Sequence, residues 1–230
     1  MRIVSDKYTA IGGRIGSLVG TMNRAGMCFR NWVVPANPKT AHQLAVRSTL
    51  KNLALAWSDT LTQEQRDAWN AYAATLEFTS KLGTKYTISG FGAYVQGNGA
   101  RQVGSLSRID NGPTTPGLDT FTDVTVTFDG GDDTITVAFT NTDAWAGEVG
   151  GALLVRRSPL GFKEGVSFYE GPFRYAGKQL GAATPPTSPL VIDLGTTGIT
   201  PGLQYAIAVR SVRADGRCSE ERIFRAVASA

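Results

Sequence analysis

The chain contains little of what metal centres and most catalytic sites use. Its 230 residues include two cysteines, Cys28 and Cys218, and a single histidine, His42. Neither cysteine belongs to a CxxC pair, so we expect two reduced, packed thiols, with a disulfide as the less favoured alternative. His42 lacks a second histidine or a cysteine cluster, which favours a surface or capping role over a metal site or a Ser-His-acid triad.

Long apolar runs are also missing. No segment approaches the roughly 20 consecutive apolar residues that span a bilayer. The N-terminus, MRIVSDKYTAIGG, lacks the apolar core of a signal peptide. We therefore expect synthesis in a cytoplasm and no membrane partner. A composition of 42% hydrophobic and 18% charged residues is typical of a globular protein.

Two segments resemble ligand-binding loops without completing their motifs. The sequence GGRIGSLVG has neither the Gly-Lys-Ser/Thr ending of a P-loop nor the GxGxxG spacing, so its glycines indicate strands. Asp129, Asp132 and Asp133 surround two glycines at a spacing unlike that of an EF-hand, which favours a hairpin turn. We expect no catalytic residue, no cofactor, no metal and no small-molecule substrate, and hence a protein that is not an enzyme.

Residues 35–76 carry the densest pattern in the chain, and it predicts two antiparallel helices. The first helix starts either at Asn37 with Pro38 at its first position or at Thr40, which has Gln43 three residues further on. Its apolar residues recur with helical spacing, and we expect this face to be buried. They are Val46, Leu50, Leu53 and Trp57.

A capping box, Thr62 with Gln65, predicts the start of the second helix. Its apolar stripe includes Trp69, which we expect to meet Trp57 near the turn. A third helix is predicted over residues 89–103, docked on the first two. Together these segments define a helical domain over residues 35–103, preceded by an extended basic arm, or irregular strands, over residues 1–34.

Residues 104–118 are rich in Gly, Pro and Ser, and we interpret them as a linker. From residue 119 onward the hydrophobic period changes to two, which is typical of half-buried strands. The predicted strands lie at residues 124–128, 134–139, 152–157, 165–169, 189–194, 204–212 and 222–228. The fold class is therefore α+β, with a small helical domain followed by an antiparallel β-sandwich over residues 119–230.

The segment from Ile199 to Ser219 resembles the penultimate strand of a fibronectin type III domain. Tyr205 matches that family's corner tyrosine, and Ile207 and Val209 match its inward positions. The resemblance implies a fibronectin III- or Ig-like sandwich. The chain departs from the family in having no tryptophan in the second strand, where Phe139 would have to substitute, and in its long middle segment, residues 160–183.

A second resemblance covers about residues 30–105. The pattern Pro35-x-x-Pro38-x-Thr40-x-x-Gln43, the Leu61-Thr62-x-x-Gln65-Arg66-x-x-Trp69 segment and Gly90-x-x-Ala93-Tyr94 are similar to an uncharacterised module of tailed-phage and prophage structural proteins. The resemblance implies assembly with copies of itself and other particle proteins, as a capsid or tail decoration or connector in a virion made in the host cytoplasm. The alternative is a bacterial surface, adhesion or carbohydrate-binding module that uses the sandwich.

The charge layout suits assembly. The net charge of +4 combines +7 for residues 1–58, where eight Lys and Arg face Asp6 alone, with −3 from residue 111 onward. The basic residues 1–58 favour contact with acidic partners. Among these, nucleic acid is less favoured than an acidic protein surface, because the basic charges are dispersed along the segment. Basic and tryptophan side chains outside the periodic stripes are the candidate assembly contacts: Arg14, Arg24, Arg30, Trp32, Trp145, Arg156 and Arg157.

Overall fold

A computed structural model describes residues 2–3, 12–24, 26–34, 36–80, 83–195 and 198–230. The fold is α+β, with three α-helices in these ranges and one large, mostly antiparallel sheet. The chain divides into an N-terminal unit, Met1–Val95 with Asn111–Gly117, and a C-terminal unit, Gln96–Asp110 with Leu118–Ala230. The predicted linker, residues 104–118, therefore contributes residues to both units.

The described part of the predicted arm forms a small antiparallel sheet. Its strands are β1 (Arg2–Ile3), β2 (Gly13–Ile15), β3 (Leu18–Asn23) and β4 (Gly26–Asn31), in the order β1-β4-β3-β2. The tight turn between β2 and β3 needs a residue with positive φ, and Gly16 supplies it at +58°. The rest of the predicted arm, residues 1, 4–11 and 25, lies outside the described residues.

The two capping signals of the helical segment set the helix starts. Helix α1 (Ala41–Leu55) begins after Thr40, whose side chain accepts a hydrogen bond from the Gln43 amide, so the second of the two predicted starts is confirmed. A π-helical turn, Ala56–Thr60, follows it directly. Helix α2 (Gln63–Ala74) opens with the reciprocal capping box of Thr62 and Gln65, which is also confirmed.

The prediction that the apolar face Val46, Leu50, Leu53 and Trp57 is buried is wrong for the first two of these residues. Leu53 is the one fully buried residue of the helix. Val46 is 53% exposed and Leu50 is 49% exposed. The spacing identified a helix correctly, but amphipathic spacing does not specify what covers the apolar stripe.

An aromatic cluster forms the core of the N-terminal unit. The ring of Tyr94, on helix α3 (Gly90–Val103), lies 5.4 Å from that of Trp57 and 5.5 Å from that of Trp69. The third helix is thus confirmed, and Tyr94 lies where direct contact between the two tryptophans was expected. Close approach requires Gly90, because a Cβ there would lie 2.8 Å from the Asn70 amide nitrogen. A short strand pair, β5 (Phe78–Thr79) and β6 (Lys85–Tyr86), also belongs to this unit.

The C-terminal unit contains the large sheet. Its strands are β7 (Thr125–Asp129), β8 (Thr134–Ala138), β9 (Ala152–Arg157), β10 (Arg174–Leu180), β11 (Leu190–Asp193), β12 (Gln204–Val212) and β13 (Arg222–Ser229). Their order is β10-β9-β12-β13-β7-β8-β11, and β13–β7 is the single parallel pairing. The sheet curls until its two end strands, β10 and β11, lie close together. A Cβ added at Gly177 of β10 would lie only 2.8 Å from the Ile192 side chain of β11.

Most strand predictions for this unit are confirmed, including the β7–β8 hairpin, in which the Asp129 carboxylate accepts the amides of Gly131 and Asp132. The strand predicted over residues 165–169 is wrong. These residues belong to a loop, and the next strand along the chain is β10, which pairs with one edge of β9. In the loop the Tyr169 ring stacks 5.1 Å from that of Phe162, outside any sheet, and Phe168 is 69% exposed.

Candidate functional site

One continuous segment of the sequence in the N-terminal unit carries only basic charges, and their side chains are exposed. Residues 12–58 contain six Lys and Arg and no acidic residue. All six are exposed on the described surface: Arg14, Arg24, Arg30, Lys39, Arg47 and Lys51. An exposed stretch with charges of one sign favours acidic partners over basic ones.

The same stretch exposes an unusual number of large apolar side chains, which we call the N-terminal apolar set. Their exposed fractions run from 43% at Leu18 to 75% at Ile15. The set comprises Ile15, Leu18, Met22, Trp32, Val33, Val34, Leu44, Val46, Leu50 and Leu55. Exposed apolar residues are common singly, but a concentration of this kind in one short stretch is typical of an interaction surface.

The structure brings together two of the predicted assembly contacts, Arg14 and Trp32. The Arg14 guanidinium lies 4.1 Å from the centre of the Trp32 ring, a cation–π contact. The Trp32 amide donates to the Ser17 carbonyl at 2.7 Å, which fixes the backbone beside the β2–β3 turn. Trp32 remains 49% exposed, so its ring is both oriented and available to a partner.

Arg24 and Arg30 are exposed at other places in the N-terminal unit. Arg24 follows β3 and lines an open groove together with Glu77 and Lys85. Arg30 lies on β4, paired in register with Val19 of β3. Both remain candidate contacts.

The other predicted contacts lie in the C-terminal unit and form no common patch. Arg156 binds the Glu221 carboxylate through its guanidinium. Arg157 is only 9% exposed, and burial lowers its pKa. Successive strand residues point to opposite sides, so Arg156 and Arg157 do not share one face, and the prediction of Arg157 as a surface contact is wrong.

Trp145 has no exposed surface, which contradicts its prediction as an interface anchor. It is fully buried, with its ring 5.2 Å from that of Phe139 in the core of the sheet. The sequence signal was misleading because Trp145 lies between strands in a Gly-rich segment, where residues are usually exposed.

A buried polar network in the C-terminal unit was missed by sequence reasoning. The Arg101 guanidinium donates to the carbonyls of Ser107, Gly150 and Arg213, and burial lowers its pKa. Arg213 in turn donates to the carboxylates of Glu148 and Asp119, which raise its pKa. No local pattern could reveal this network, because its members come from distant parts of the chain. Its hydrogen bonds join loops that are far apart in the sequence.

The described surface shows no metal-binding cluster. Across these residues no group of three or more His, Cys, Asp or Glu side chains could hold a metal ion. His42 is exposed on α1. Within the described ranges, every helix is too short or too polar to cross a membrane.

Two comparisons, with family models and with curated proteins, give no match. No family model matches the chain, and no curated protein is significantly similar to it. The functional argument therefore depends on the resemblances and on the geometry described above.

Proposed function

We propose that this protein is a non-enzymatic structural component of a tailed-phage virion or phage-like particle, which assembles through its N-terminal unit. The observation that carries the proposal is the N-terminal apolar set, which lies within an acid-free basic stretch. Leaving this much apolar surface in water costs about 25 cal/mol per Å² relative to burying it. Contact with another subunit removes that cost, and the surrounding cations select an acidic neighbour.

The resemblance of residues 30–105 to a phage structural module supports the same proposal. The residues behind that resemblance form the capping box and the aromatic cluster around Tyr94, both of which stabilise the unit. The C-terminal end of helix α1 packs into the unit through the buried Leu53 and through Trp57, which follows the helix and contacts Tyr94. The rest of the apolar stripe of α1 is exposed. The partners we propose are copies of this chain and other particle proteins.

We propose further that the C-terminal unit is a fibronectin III-like sandwich made of β7-β8-β11 and β10-β9-β12-β13. The join between the two sheets is short, since β13 and β7 pair at only two positions, Ala228 with Phe128 and Ser229 with Asp129. The Tyr205 hydroxyl accepts from the Thr200 amide at 2.9 Å, the geometry of a tyrosine corner. A crystal structure in which β13 and β7 pair along their whole length would replace the sandwich by a closed barrel.

Self-association tests the assembly proposal. We expect the purified protein to form oligomers whose mass rises with concentration in sedimentation velocity, and the double variant Val46→Ser/Leu50→Ser to remain smaller at the same concentration. Val149→Ser is the matched control, because Val149 is 76% exposed but lies in the C-terminal unit. A protein that stays monomeric at high concentration, or a control that dissociates it equally, contradicts the proposal. If the protein does self-associate, electron microscopy of particles from the source would locate the subunit in the particle.

A carbohydrate-binding role is the second candidate, and one loop favours it. Between β9 and β10, Phe162, Tyr169 and Phe173 form a chain of ring contacts at 5.1 and 5.3 Å. Phe168 beside them is 69% exposed. Sugar rings stack on exposed aromatic faces. Glycan-array binding that is lost in Phe168→Ala but kept in Val46→Ser/Leu50→Ser would support this role over assembly.

A further inference from the structure

A cavity in the C-terminal unit has the features of a ligand site that the assembly proposal does not use. It measures about 270 Å³ and lies between residues 96–103 of α3 and the outer face of strands β9 and β12. This volume is close to the lower end, about 300 Å³, of pockets that hold small molecules. We call it the arginine pocket, after the two arginines that line it, Arg156 and Arg210.

Strand register explains why the two arginines share the pocket. Arg210 of β12 pairs with Leu154 of β9, and Ala208 pairs with Arg156. Residues two apart on a strand point to the same side, so Arg156 and Arg210 are diagonal neighbours on the outer face. Leu154 between them is 6% exposed and forms an apolar floor.

The two guanidinium groups differ in their partners. Arg156 donates through its Nε to the Glu221 carboxylate at 2.8 Å and is paired with it. The Nε of Arg210 is buried and meets no acceptor among the described residues. A buried donor without an acceptor is unusual in folded proteins and loses the hydrogen bonds that water would have given it.

Charge and shape together restrict the ligand. Two arginines and one glutamate leave a single positive charge, which matches one negative charge on a ligand. A carboxylate presents two oxygens to a guanidinium in matching geometry. The remaining walls include Ala100, Val103 and Leu154, which suit an alkyl or aryl group. A doubly charged phosphate fits less well, because Glu221 would repel its second charge.

We propose that the arginine pocket binds a monocarboxylate with an apolar body, and that Arg210 is the residue that holds its carboxylate. The group could belong to a free small molecule or to an acidic side chain of a second copy of this chain, and both present the same chemistry to Arg210. The proposal is independent of the assembly function, since none of the pocket residues belongs to the N-terminal apolar set.

The test is an NMR titration of the full-length protein with benzoate, followed at the Nε–Hε signal of Arg210. We expect saturable shifts with a dissociation constant on the order of 1 mM, as for a small ligand of few atoms. Benzyl alcohol, which lacks the charge, should bind at least about tenfold more weakly, the loss typical of one charge-assisted hydrogen bond. Arg210→Gln, followed at the backbone amide signals of Val103 and Leu154 in the pocket, should weaken benzoate binding by a similar factor. Arg225→Gln is the matched control on the exposed side of β13, and it should bind as the parent does.

A second variant keeps the proposal testable if Arg210→Gln fails to fold. Glu221→Gln removes the competing carboxylate, so benzoate should bind more tightly and inorganic phosphate should gain measurable affinity. A concentration series without benzoate distinguishes the two sources. If Arg210 shifts with protein concentration and benzoate reverses that shift, the carboxylate comes from a second copy. No saturable benzoate shift, equal binding of phosphate to the parent protein, or unchanged affinity in Glu221→Gln overturns the proposal.

Discussion

The two units of this protein treat their apolar residues in opposite ways. In the C-terminal unit, strands β9 and β12 are buried along almost their whole length, and Trp145, Phe128 and Ile207 are sealed in one core. In the N-terminal unit, helix α1 buries Leu53 alone and leaves Val46 and Leu50 about half exposed. The C-terminal unit surrounds its sheet core with its own chain, whereas the N-terminal unit leaves most of the apolar stripe of α1 in water, which is the contrast that the proposed assembly rests on.

The largest effect should come from the sealed core. Trp145→Ala removes a fully buried ring beside Phe139 and should lower the free energy of unfolding by about 3–5 kcal/mol. Denaturant unfolding monitored by circular dichroism measures the change. Leu160→Ala, at a residue 76% exposed, is the control and should change stability by less than about 0.5 kcal/mol. A loss below about 1 kcal/mol for Trp145→Ala would mean that the ring is not part of the core.

Within α1, two leucines three residues apart sharpen the comparison. Leu53→Ala should destabilise the protein by about 2–5 kcal/mol, because Leu53 is 1% exposed. Leu50→Ala should cost less than about 0.5 kcal/mol in the monomer, because Leu50 is already half exposed. Thermal unfolding at low protein concentration compares the two variants. Equal losses would show that the exposed stripe is covered within one chain.

The buried thiol gives the C-terminal unit a pH dependence. Burial raises the pKa of Cys218 from its ordinary 9.0 to about 11. The folded state therefore holds the thiol proton more tightly than the unfolded state, and this contribution is complete below pH 9 and is lost as the pH rises towards 11. At pH 10 the loss should be about 1.4 kcal/mol. Denaturant curves of the parent and of Cys218→Ala should converge in stability over this range, and parallel curves would contradict the shift.

The smallest predicted change tests the tyrosine corner. Tyr205→Phe keeps the ring in the core, 5.3 Å from that of Phe128, but leaves the Thr200 amide without its acceptor. We expect a loss of about 1 kcal/mol in unfolding free energy. Tyr86→Phe, in the N-terminal unit, serves as the comparison and should be close to neutral. If both substitutions are neutral, water replaces the hydroxyl at the corner.

Local signals in the sequence predicted the elements well where they act through neighbours in the chain. Thr40 and Thr62 fixed two helix starts through side-chain bonds to amides three residues away. The alternation around Tyr205 located β12 with its actual bounds. The loop at residues 162–173 misled the prediction, because Phe162, Tyr169 and Phe173 contact each other as rings and not through a sheet.

The sequence could not predict which apolar and charged residues end up inside. Trp145 and Arg157 were expected at the surface, yet the sheet buries both. Val46 and Leu50 were expected inside, and they are exposed. Burial depends on what packs over a residue, and that partner lies far away in the sequence.

The sequence by itself determined the helix caps, the strand alternation, the acid-free basic stretch and the absence of a catalytic motif, because each depends on residue type and short spacing. The tertiary structure alone decided the pairing of Arg156 with Glu221, the unpaired Nε of Arg210 and the exposure of α1. These features arise where the register of a sheet or the end of a packed cluster places distant residues side by side. The spacing of residues along the chain does not specify the distance between residues that are far apart in the sequence.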